Sequence, residues 1–230
     1  RNLSGGGLES VVTHTSVVAA ILRYVLKTKP SRVVVADAPV QGCDFGALRA
    51  AAGIDSLMDV ASGSDCEFSI RDLRRTIRES ETGLASVRTE CRELDQYVLF
   101  DLGMESLLEP VTTEAGKFRV TMYDPSALDR THCPGRHQYL IAREAVEADL
   151  VINVPKLKTH KKSGLTGALK NLVGINGHKE YLPHHRKGGV ECGGDCYSGH
   201  SLVKQVVEEV LDYANRVGRS PAARYMAGRV

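Results

Sequence analysis

The sequence predicts an α/β fold, with a mostly parallel central sheet flanked by helices and an irregular insertion in the middle of the chain. Three observations predict it. Two short apolar runs, Val33-Val34-Val35-Ala36 and Leu150-Val151-Ile152-Asn153-Val154, are closed by Asp37 and Pro155, as buried parallel strands are. Each run follows a segment with helical apolar spacing. The front of the chain reads helix, strand, loop, helix, the α/β order.

Composition bounds the function. The 230 residues are 42% apolar and 25% charged, which suits an ordinary globular protein able to bury a core. A net charge of +2 gives no general reason to bind nucleic acid. No apolar run is long enough to span a membrane, and no signal-peptide pattern opens the chain, so the expectation is a cytoplasmic protein. The chain reads as a single α/β domain over 1–230, with an inserted subdomain at about 56–131. It starts at Arg1 and is expected to be a fragment of a longer protein.

Taken in order, Arg1 to Ser10 is a glycine-rich loop. Thr13 to Ser16 offers N-cap residues for a helix to about Lys27, with Val17, Val18, Ile21, Leu22 and Val25 on its apolar side. Arg32 to Ala38 is a strand, and Phe45 to Ala52 a short helix closed by Gly53, with Asp44 as its cap. In the middle, Arg71 to Ser80 is charged and reads as helical. Gln96 to Asp101 and Phe118 to Tyr123 read as strands. Arg136 to Ala148 reads as an amphipathic helix feeding the strand Asp149 to Val154. Ser163 to Asn171 reads as a helix start capped by Ser163. Gly174 to Gly199 is a long loop, and such loops are usually functional or disordered. Ser201 to Val217 is the clearest helix, with Leu202, Val203, Val206, Val207, Val210, Leu211 and Ala214 forming one face and Gly218 closing it.

The chemistry gathers after the second apolar run. Ligands of open α/β sheets sit at the carboxyl ends of strands. Lys156, Lys158 and His160 alternate there, so on an extended chain they face one side and form a clamp for phosphate or carboxylate. Thr159, Gly164, Thr166, Gly167, Lys170 and Asn171 follow, and backbone N–H groups at a helix start attract anions. His178, His184, His185 and Arg186 crowd one loop, where histidine suits proton transfer. Side chains of adjacent histidines diverge on an extended chain, so the pair is not expected to hold one metal. Asp37 ends the first strand and offers a base, an orienting carboxylate or a metal ligand. None of the six cysteines forms C-x-x-C, and the C-x-x-x-C spacing of Cys192 and Cys196 is not the usual zinc spacing, so reduced thiols are expected and no metal ligand set is assigned.

Two stretches carry a resemblance. Ala148-Asp-Leu-Val-Ile-Asn-Val-Pro-Lys-Leu-Lys-Thr-His160 and Gly164-Leu-Thr-Gly-Ala-Leu-Lys-Asn-Leu-Val-Gly174 resemble the conserved domain-of-unknown-function family 362. Val11-Val-Thr-His-Thr through Arg32-Val-Val-Val-Ala-Asp-Ala-Pro39 is similar to its front half. The resemblance implies an α/β fold and no settled reaction. Members often carry a ferredoxin-type cysteine cluster, which this chain lacks. They also extend on both sides, with segments not present here.

The expectation is therefore an enzyme for a small anionic metabolite, phosphorylated or carboxylated. Lys156, Lys158, Thr159, Gly164, Thr166, Gly167, Lys170, Asn171 and Arg186 bind the ligand, and His160, His184, His185 and Asp37 carry chemistry. The alternatives are a non-catalytic ligand- or cofactor-binding protein, and a redox protein working with an iron–sulfur partner. The residues name no cofactor, substrate or oligomeric state, and leave open whether the protein is an enzyme.

Overall fold

Three consecutive valines lose little by being extended and bury well against helices. They form the first strand of a mixed α/β fold. The structure, a computed structural model, describes residues 7–80, 86–112, 114, 116–120, 125–160 and 164–217. In chain order the elements are α1 (Leu8–Val11), α2 (Thr15–Leu26), β1 (Arg32–Asp37), α3 (Phe45–Ala52), α4 (Ser56–Ala61), β2 (Glu67–Asp72), β3 (Thr76–Ser80), β4 (Ser86–Glu90) and β5 (Tyr97–Asp101). Then come β6 (Phe118–Arg119), α5 (Ser126–Thr131), β7 (His132–Cys133), β8 (Arg136–Ala142), α6 (Arg143–Val146), β9 (Lys158–His160), β10 (Gly164–Thr166), α7 (Ala168–Asn171), β11 (His185–Arg186) and α8 (Leu202–Val217). The helix α1 replaces part of the expected N-terminal loop. No described helix is long and apolar enough to cross a membrane.

The chain forms two compact units. The first comprises Arg1–Arg78, Glu90–Gln96 and Ala142–Gly177, the second Glu79–Thr89, Tyr97–Ile141 and His178–Val230.

In the first unit β1 and β2 run parallel, in register from Arg32↔Glu67 to Asp37↔Asp72. The crossover between them is made by α3 and α4, the length a parallel pair requires. Leu22 and Ala19 of α2 and Leu57 of α4 form the core, with Val33, Val35 and Phe68 packed against it. The α2 cap is His14, whose Nδ1 accepts from Ser16 N. Asp44 caps α3 by accepting from Ala47 N, and Gly53, at φ +62°, ends it, both as expected.

The segment from Arg71 to Ser80 is not a helix. It ends β2 and begins β3, because Arg74 is needed in an extended turn. Its guanidinium is buried, bonds both Asp72 carboxylate oxygens, and donates through Nη1 to the carbonyls of Val40, Gln41 and Cys43 at 3.0, 3.1 and 2.8 Å. One charged group thus fixes the whole loop after β1.

Nor do residues 150–154 form a strand. Leu150 is 73% exposed, and Val151 and Ile152 are exposed too, so the run lacks the two covered faces that a buried strand requires. The segment is held by polar contacts instead: Thr13 Oγ1 donates to Val154 O at 2.8 Å, and Asn153 Nδ2 to Ala168 O at 2.8 Å. The sheets are small. β1–β2 is parallel, whereas β7–β8, β6–β11 and β9–β10 are antiparallel.

In the second unit β5, β8 and β7 form a three-stranded sheet in that order. Residues 136–142, expected to be helical, are β8; only Arg143–Val146 is helix. Tyr139, Leu140 and Ala142 fit a helix face, but Leu140 and Ala142 equally fit one face of a strand, and the turn decides: Pro134-Gly135, with Gly135 at φ +73°, folds the chain back so that His132 faces His137. The described part of the expected strand 118–123 is β6; positions 121–123 lie outside the described residues, as do Ser163 and Gly218.

The helix α8 is present but turned over. Glu208 and Asp212, one turn apart, are buried, while Leu202, Val203, Val206, Val207, Val210 and Leu211 are exposed. Arg119 decides this orientation. It is buried on β6, and its Nη1 and Nη2 bond Glu208 Oε1 at 3.0 Å and Asp212 Oδ1 at 2.6 Å. A buried guanidinium requires counter-charges, and these two carboxylates supply them.

Candidate functional site

In the first unit the Lys/His cluster lies on the hairpin β9–β10. The register pairs His160 with Gly164, Thr159 with Leu165, and Lys158 with Thr166. Lys158 and His160 therefore share one face and Thr159 takes the other. Lys158 Nζ donates to Val11 O at 2.7 Å, which uses one of its three donors. Lys156, two residues earlier, is half-buried. Gly164 opens β10 at φ +75°, a conformation that only glycine adopts cheaply.

The anion-attracting helix start does not form as expected. Residues 164–166 are strand, and α7 is a four-residue helix beginning after Gly167. Lys170 is exposed on it. Asn171 Nδ2 donates to Asn153 Oδ1 at 2.7 Å, so this amide ties α7 to residues 150–154. The one sequence signal for Asn153 is its polar place within an apolar run.

Asp37 ends β1 against Gly174. A Cβ at Gly174 would lie 2.2 Å from Asp37 Oδ1, and Ala38 N donates to Gly174 O at 2.7 Å. The sequence assigned Asp37 a chemical role; its contacts make it part of a close backbone junction.

His184, His185 and Arg186 belong to the second unit, so the expected groups fall into two sets. β11 pairs with β6, His185 opposite Arg119. The rings of His184 and His185 stack at 4.8 Å, 15° from parallel, rather than diverging. Arg186 is used structurally, its Nε donating to Val111 O at 3.2 Å and its Nη1 to Gly193 O. Asp195 Oδ1 accepts from Arg186 N at 2.8 Å and lies 3.7 Å from His185 Nδ1. Cys196 follows, its thiol 3.4 Å from Arg186 O. Burial first, then the Glu208 carboxylate, push that thiol up to about 11. His178 is buried and packs against Tyr181, with ring centroids 4.5 Å apart.

A buried relay in the second unit carries no signal in the sequence, because its members are far apart along the chain. Glu109 Oε2, His137 and His132 are linked at 3.0 Å and 3.2 Å, and His132 Nε2 meets Tyr181 O at 2.6 Å. A carbonyl cannot donate. The hydrogen bonds from Gly135 N–H and His137 hold the Glu109 carboxyl below its ordinary range, so it does not donate either. His137 Nε2 and His132 Nε2 therefore donate at the two ends of the relay. Burial, assisted by His137, lowers the His132 pKa.

Residues 2–227 of the 230-residue chain match the family described as Domain of unknown function (DUF362). The chain belongs to this family. No curated protein and no solved structure matches it. In this DUF362 chain, the two stretches that carry the resemblance after residue 148 both lie in the first unit, on either side of the β9–β10 turn.

Proposed function

We propose that this DUF362 protein binds a small oxyanionic metabolite, phosphorylated or carboxylated, at the β9–β10 hairpin, and acts on it as an enzyme. The observation that carries the reading is the register of the hairpin, which sets Lys158 and His160 on one face with Lys156 leading into it. Lys158 keeps two donors beyond its bond to Val11 O. An ammonium with two donors left over suits a phosphate or carboxylate oxygen, and a neighbouring imidazole suits proton transfer to the bound group. Lys170 and Thr166 extend the polar surface. Arg186, His184 and His185 are not assigned to this site. The same residues without chemistry describe a binding protein. The mostly parallel central sheet belongs to this proposal as well, supported by β1–β2 and its helical crossover. So does the cytoplasm, supported by the lack of a disulfide among the described residues.

Titration of inorganic phosphate into isotope-labelled protein, followed by amide chemical shifts, tests the reading. Saturable shifts confined to residues 156–171 are expected. No shifts, or shifts confined to the second unit, would remove it. Turnover then separates the two forms of the proposal. In an enzyme His160→Gln abolishes turnover while phosphate affinity stays within about threefold.

A further inference from the structure

We propose that His185, Asp195 and Cys196 bind a divalent transition-metal cation of the zinc class. One donor atom from each residue lies within 4.8 Å of the others. His185 Nδ1 and Asp195 Oδ1 are 3.7 Å apart, and Cys196 Sγ and Asp195 Oδ1 4.0 Å. Around a tetrahedral zinc, with bonds of roughly 2.0–2.3 Å, neighbouring donors are about 3.3–3.7 Å apart. The two pairs that include Asp195 are within about half an ångström of this, and the His185–Cys196 pair needs a contraction of up to about 1.5 Å, within reach of side-chain rotation.

The backbone beneath the donors is already fixed. Asp195 N donates to Arg186 O at 2.9 Å, and Cys196 N to Gly188 O at 3.0 Å. Gly194 allows this crossing: a Cβ there would lie 2.2 Å from Gly188 O. The stacked ring of His184 sets the plane of His185. Imidazole, carboxylate and thiol together favour zinc, cobalt or ferrous iron over magnesium or calcium. Three protein ligands leave a fourth position. Asp195 is 47% exposed and His185 23%, so that position is reachable from solvent. A cation here also supplies the positive charge that releases the Cys196 proton. The inference is independent of the anion site, which lies in the other unit.

The test uses the full chain, reduced and stripped of metal, titrated with Co²⁺. A 1:1 complex with a thiolate-to-cobalt charge-transfer band is expected, and Zn²⁺ should displace it. Cys196→Ser should abolish the band. Asp195→Asn and His185→Gln should each weaken binding at least tenfold. Cys192→Ser, which alters an exposed thiol outside the cluster, should leave it intact. A second readout needs no variant: Zn²⁺ should protect Cys196, and not Cys192, from alkylation mapped by mass spectrometry. Absence of the band, a band that survives in Cys196→Ser, or equal protection of both thiols would overturn the proposal.

Discussion

Gly174 meets the Asp37 carboxylate so closely that any side chain must displace it. Gly174→Ala should therefore cost about 1–3 kcal/mol of stability, measured by urea unfolding. In an Asp37→Ala background the same change should cost less, because the clashing oxygen is gone. Equal costs in both backgrounds would mean that the junction relaxes elsewhere. The His132 pair makes a pH-dependent prediction. The pKa of His132 is lowered in the folded state, so on acidification the unfolded chain takes up that proton first. The stability is complete above the unfolded value of about 6.5 and falls as pH drops below it. Unfolding midpoints between about pH 7.5 and about pH 5.5 should show this loss, and His132→Gln should flatten the slope. Neither device was readable from the chain: Gly174 looked like any loop glycine, and the relay joins Glu109, His132, His137 and Tyr181 only after folding.

At the scale of elements, legibility followed how local the deciding force was. The helices α2 and α3 and the strand β1 carry their own period, caps or breakers, and form where the sequence put them. β8 did not, because besides the turn that joins it to β7 it takes its place beside β5, a strand far away in the sequence. Arg74 and Arg119 are the other non-local deciders: buried cations whose partners the sequence cannot reveal. The helix α8 was legible as a helix, yet the face it buries is set by Arg119 rather than by its apolar stripe. Arg119→Leu should leave Glu208 and Asp212 without this counter-cation and destabilise the protein by about 3 kcal/mol. Adding Glu208→Leu and Asp212→Leu should recover much of that loss. A triple variant no more stable than Arg119→Leu would show that the ion cluster is not what seats the helix.

For the whole molecule, family membership and mixed α/β character were both readable, because the motif text after residue 148 is distinctive and the element signals are strong. The division into two interleaved units was not, since each is assembled from segments far apart in sequence. That division separates the residues expected to form one site. His160, Asp37 and the lysines belong to the first unit, whereas His184, His185 and Arg186 belong to the second, where His185 and the Arg186 backbone meet Asp195. One anticipated site thus resolves into an oxyanion reading and a metal reading, each confined to its own unit. Calorimetric titration with pyrophosphate, comparing the wild-type chain with Lys158→Ala, tests the oxyanion reading most directly. One charge-assisted hydrogen bond is worth about 1.5 kcal/mol or more, so the variant should bind at least about tenfold more weakly than a 1:1 wild-type complex. Equal affinity in the two proteins, or no binding to the wild type, would contradict it.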